Sequence, residues 1–111
     1  MPQLLYAVIN SGFVVSDVKD LSKYGSISGI DVPTITSGDL LLQGSFATTS
    51  AGFHRLIETR NPGSGDMKFA TGPGSVYVTV PLDRAMPNYV RLETSVQQAD
   101  TRTLTMLVRA P

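Results

Sequence analysis

Side chains able to do acid–base or nucleophilic chemistry are few in this chain, which has one histidine and no cysteine. His54 falls in an alternating stretch, with Phe53, Arg55 and Ile57 on one side and His54, Leu56 and Glu58 on the other. A lone histidine in such a setting reads as a surface or packed residue, not as the base of a triad. The two glutamates, Glu58 and Glu93, lie close in sequence to Arg60 and Arg91. Ion pairing is the expectation for such carboxylates. The aspartates (Asp17, Asp20, Asp31, Asp39, Asp66, Asp83 and Asp100) are dispersed, and only Asp17 and Asp20 are near neighbours. Calcium needs about six to eight clustered oxygens, so that spacing does not describe a site. Gly63-Ser64-Gly65 lacks the lysine and helix of a phosphate loop and reads as a turn. The chain is therefore expected to be no enzyme and to hold no cofactor or metal.

Sugar recognition would use aromatic platforms, and the chain has four tyrosines, four phenylalanines and no tryptophan. Tyr77 falls on the polar side of its stretch and Tyr89 precedes a core valine, which leaves both open to solvent or to anchoring a loop.

The 111 residues suit one domain with a single core. Nine basic and nine acidic residues cancel and are scattered, so no electrostatic footprint for nucleic acid is present. The apolar run Leu4-Leu5-Tyr6-Ala7-Val8-Ile9 is too short to cross a bilayer and has no basic residue before it. It reads as a strand, and no membrane partner is expected. Only 16% of residues are charged while Ser and Thr abound. Coverage by neighbouring subunits would favour such a surface, and so would β structure alone.

The elements that must position these groups have a period of two nearly throughout. Val76, Val78, Val80 and Leu82 alternate with Ser75, Tyr77, Thr79 and Pro81; Val90 and Leu92 alternate with Arg91 and Glu93; Leu104 and Met106 continue the pattern. These three strands are expected to form an antiparallel meander, with Val78, Val90, Leu92, Leu104 and Met106 buried against a layer supplied by the first 70 residues. Further strands are expected over residues 4–9, 13–18, 26–32, 39–45, 53–59 and 67–70. Pro33 ends one of them or marks an edge, and Asn61-Pro62-Gly63-Ser64-Gly65-Asp66 is the densest turn. Leu40-Leu41-Leu42 suggests burial on both sides, one toward the core and one toward a neighbouring subunit. About eight short strands with regular turns predict an all-β, antiparallel sandwich or small barrel.

Three segments resemble the tailed-phage capsid cement (decoration) proteins and related β-sandwich modules. They are Ser37-Gly38-Asp39-Leu40-Leu41-Leu42-Gln43-Gly44-Ser45; Val80-Pro81-Leu82 leading to Asn88-Tyr89-Val90-Arg91-Leu92; and the stretch from Val96-Gln97-Gln98-Ala99-Asp100 to Val108-Arg109. The resemblance covers residues 26–110 and departs from the pattern at Ala47-Thr48-Thr49-Ser50-Ala51-Gly52, where such modules often carry an Asp-Gly loop. It implies a jelly-roll-like sandwich in a virion, made in the host cytoplasm and placed on the capsid surface. It implies the major capsid protein as partner and a homo-oligomer, dimer or trimer. Leu4, Leu5, Tyr6, Val8, Phe13 and Leu41 are the candidate partner-binding residues. Residues 1–18 are read either as an extended arm or as the first strands of the sandwich. Tyr89-Val90-Arg91-Leu92 is also similar to a segment of discoidin-like sugar-binding jelly rolls, so the alternative is a carbohydrate- or receptor-binding module of a phage tail or fibre.

Overall fold

A computed structural model describes residues 3–46, 52–56, 68–80 and 87–109. Its described residues form strands, turns and loops: β1 (Gln3–Ile9), β2 (Lys19–Asp20), β3 (Ser26–Ser45), β4 (His54–Arg55), β5 (Lys68–Thr79), β6 (Tyr89–Thr94) and β7 (Arg102–Arg109). All pairings are antiparallel within one seven-stranded sheet. The all-β reading of the sequence is correct.

β3 runs 20 residues, and every other strand except β1 and β2 pairs with it. Ile30 lies between Val78 of β5 and Met106 of β7, while Leu40 lies between Phe69 of β5 and Thr94 of β6. So β5 follows one edge of β3, and the other edge is shared by β7 and then β6. The sheet nearly closes into a barrel, because β1 continues outward from β7 and residues 15 and 16 bridge it to β6. Ile9 pairs with Ser16, and Val15 with Glu93. At that seam Ser16 N donates to Leu92 O at 2.8 Å, and Leu92 N donates back to Ser16 Oγ at 2.9 Å. A hydroxyl there does the work of a backbone carbonyl.

Inside, Ile9, Ile27, Ile30, Val32, Leu40, Leu42, Val90, Leu92, Leu104, Met106 and Val108 form one core. Val78, Val90, Leu92, Leu104 and Met106 are all buried, as alternation predicts.

Two expectations are corrected. Residues 75–108 do not make a meander, since β5, β6 and β7 each pair with β3 and not with one another. Nor does Pro33 end a strand: the segments 26–32 and 39–45 are parts of β3. Proline is tolerated because between residues 32 and 39 the second edge of β3 has no strand beside it. There the Gln98 side chain takes the place of a strand. Thr36 N donates to Gln98 Oε1 at 2.9 Å, Gln98 Nε2 donates to Val96 O at 3.0 Å, and Ala99 N donates to Thr36 Oγ1 at 3.0 Å. On the β5 side, Gly74 has φ +90, and a Cβ there would come within 2.0 Å of the Pro33 carbonyl oxygen. Only glycine fits. Leu82, Glu58 and the turn at 61–66 lie outside the described residues.

Residues 3–9 are a strand of the sheet, and Val15 and Ser16 touch it again through isolated bridges. β1 pairs with β7 along its whole length, so within residues 1–18 the stretch Gln3–Ile9 is a strand of the sheet.

Leu92→Ala is expected to cost about 2–5 kcal/mol by leaving a cavity in the core. Gln98→Ala should cost about 1–3 kcal/mol, because it strands the Thr36 N–H. Exposed His54→Ala should shift stability by less than about 1 kcal/mol. Urea titrations of the three variants give the ranking, and a His54 effect matching that of Leu92 would contradict the placement of β4.

Candidate functional site

Alternation along β1 sends Ala7 and Ile9 into the core, with Leu5 packed half-buried against it. Leu4, Tyr6 and Val8 take the outer side; Leu4 and Tyr6 are each 53% exposed and Val8 is half-buried. The register then draws rows across four strands. Tyr6, Thr105, Asp31 and Tyr77 form one, and Leu4, Leu107, Gly29 and Thr79 form the next. Half-buried Leu107 joins the apolar side chains of β1.

At the far end of these rows, Tyr77 leans over Gly29. A Cβ at Gly29 would come within 2.3 Å of the Tyr77 Oη, so the ring occupies space that any side chain would fill. Tyr77 is still 56% exposed. Its neighbour in register, Asp31, is exposed, and its carboxylate makes no hydrogen bond or ion pair among the described residues. An aromatic ring, an unpartnered carboxylate and the Thr105 hydroxyl therefore stand in sequence across the outer face. That set can stack on an apolar surface and accept hydrogen bonds. It contains no general base paired with a nucleophile.

The other sequence-predicted residues fall elsewhere. Phe13 is exposed on the turn after β1, with its carbonyl accepting from Gln98 N at 3.2 Å, and it shares neither row. Leu41 is only 4% exposed, so its expected role in contacting a neighbouring subunit is corrected. Its cross-strand neighbours are Lys68 and Glu93, and its side of the sheet carries the chain's main polar network.

In that network, Arg55 Nη2 donates to Glu93 Oε2 at 2.7 Å and Arg55 Nε to Oε1 at 2.9 Å. Gln43 Nε2 donates to the same Oε1 at 2.8 Å, and Arg91 Nε donates to Gln43 Oε1 at 2.5 Å. The Arg91 guanidinium lies 4.6 Å from the centre of the buried Phe53 ring. The two-bond grip of Arg55 holds the Glu93 carboxyl below the ordinary glutamate range, against the opposing effect of burial. Sequence proximity points to Arg91 as the partner of Glu93, but cross-strand geometry selects Arg55. A carboxylate held ionised in this way organises structure and is a poor proton donor. Among the described residues no group of three His, Asp or Glu side chains converges as metal ligands would.

The chain matches no family model, no curated protein and no solved structure.

Because the folded-state pKa of Glu93 is lowered, its contribution to stability is complete above the ordinary value of 4.5 and is lost as pH falls through the folded value. Urea midpoints measured from neutral pH into the acid range should therefore fall less steeply in Glu93→Gln than in the wild type. Equal slopes would show that the Arg55 grip contributes nothing.

Proposed function

We propose that this chain is a non-enzymatic structural protein of a tailed-phage head, binding the outside of the shell and bridging major capsid protein subunits. The observation that carries this reading is the ridge of Leu4, Tyr6, Val8 and Leu107. These apolar side chains are displayed on strands whose other sides are committed to the core. A soluble domain without such a partner has little reason to keep two large apolar side chains more than half exposed on one strand. Zero net charge fits a partner recognised by area and shape more than by long-range attraction. Several copies held together would multiply a weak contact without any new chemistry.

A second reading is favoured by one observation of its own. Tyr77 lying over Gly29 beside the Asp31 carboxylate offers a ring and an acceptor to a saccharide. On this reading the chain is a carbohydrate-binding module of a tail or fibre.

The test mixes purified protein with expanded shells that lack it. Deleting residues 1–18 would remove β1, so Leu4→Asp and Tyr6→Asp are the informative variants. Wild-type protein should sediment with the shells and raise their melting temperature, with little dependence on salt. Each aspartate variant should bind at least about tenfold more weakly, the equivalent of about 1.4 kcal/mol. Failure to bind shells, together with polysaccharide binding abolished by Asp31→Asn, would replace this proposal with the second reading.

A further inference from the structure

Among the described residues no strand pairs with the outer edge of β5, and the geometry of that edge is specific. Val80 N donates to Ser28 O at 3.2 Å, which makes Ser28 and Val80 a hydrogen-bonded pair of the β3–β5 ladder. Pairs alternate in an antiparallel ladder, so Ile30–Val78 and Val32–Val76 are also bonded, while Gly29–Thr79 and Asp31–Tyr77 are not. The N–H and C=O groups of Tyr77 and Thr79 therefore point away from β3. They meet no hydrogen-bonding partner among the described residues.

Edge strands are normally protected by charge, proline or a covering segment. From Ser75 to Thr79 this one has neither charge nor proline. Val76 adds a second sign of an unfinished sheet. It shares its side of the strand with buried Val78, yet it is 40% exposed.

We infer that β5 pairs antiparallel with β5 of a second copy, about a twofold axis at Val78, to make a continuous sheet through two subunits. In that register Tyr77 lies opposite Thr79 of the second copy, and Thr79 opposite its Tyr77. Each pair exchanges both N–H···O bonds, so all the outward groups are satisfied. The facing side chains are aromatic against β-branched, a favourable cross-strand combination. Val76 comes to lie opposite Val80 of the second copy, which covers its exposed surface. The ladder stops at Ser75, whose left-handed φ of 58 takes the backbone out of the extended region. A second copy is favoured over an unrelated strand because the segment is self-complementary about Val78, with Val76 matching Val80 and no like charges brought together. The contact is isologous and closes at two subunits. It is also small, so its dissociation constant is expected at about the micromolar level or weaker. The inference does not depend on the capsid reading, and its test uses protein alone.

Sedimentation equilibrium of the full chain from about 1 µM to about 1 mM should show a monomer–dimer equilibrium. The chain has no cysteine, so Val78→Cys introduces a unique thiol at the axis, in a non-hydrogen-bonded pair close enough for a disulfide. Mild oxidation should give a covalent dimer. Thr79→Pro deletes one outward N–H without touching the β3 ladder and should weaken dimerisation at least about tenfold. Circular dichroism verifies its fold, and if Thr79→Pro unfolds, Thr79→Lys, which adds charge to the edge, is expected to have the same effect. A monomer at every concentration would overturn the inference. So would a dimer indifferent to both Thr79 substitutions, or a Val78→Cys protein that does not cross-link.

Discussion

Every residue of a strand other than proline brings one backbone donor and one acceptor, and burial requires that both find partners. For the 20 residues of β3 this requirement governs the whole molecule. One edge is served by β5, while the other needs β7, then a gap, then β6. The gap is filled by side chains: Gln98 bonds to Thr36, and the Ser95 hydroxyl accepts from Asp39 N at 2.8 Å. Pro33 sits in the same stretch, where its missing N–H is least felt. Remove these substitutes and the second edge of β3, between its β7 and β6 pairings, would lose its hydrogen-bond partners.

The same principle explains why the outer surface is divided. Around the second half of β3, the outward side is occupied by the Arg55–Glu93–Gln43–Arg91 network, with Leu41 and Phe53 buried beside it. Around the first half, the outward side carries Tyr6, Thr105, Asp31 and Tyr77, with no equivalent network among the described residues. One side of the sheet has been closed off by the chain's own polar chemistry. The other remains available, and the ridge of Leu4, Tyr6, Val8 and Leu107 falls there.

Much of the core was legible in the sequence because a period of two fixes which side of a strand a residue faces. Val90, Leu92, Leu104 and Met106 are buried for that local reason, and Leu4 and Tyr6 are exposed for the same reason. The period does not say which strand lies next door. Hence alternation predicts a meander where β5, β6 and β7 each pair with β3. It also leaves Pro33 open between a strand end and an edge, of which the missing neighbour fits the edge. Leu40-Leu41-Leu42 correctly signalled burial on both sides, but the cover over Leu41 comes from within the chain. The Tyr77–Gly29 contact and the Arg55–Glu93 pair needed a register between distant segments, which no local pattern carries.

The pairing of β1 with β7 joins Gln3 to Val108 and Leu4 to Leu107. A ladder between segments so far apart in the chain requires a very large loop to be closed before any of its bonds form. Such long-range topology slows folding relative to domains built from local hairpins. On a ribosome, β1 has no partner until β7 has emerged, so its apolar residues wait while the strands between them are made. The ridge that displays Leu4 and Tyr6 is thus among the last parts of the sheet to be fixed. Until it is, those side chains are open to any holdase, or to another nascent chain, that reaches them first.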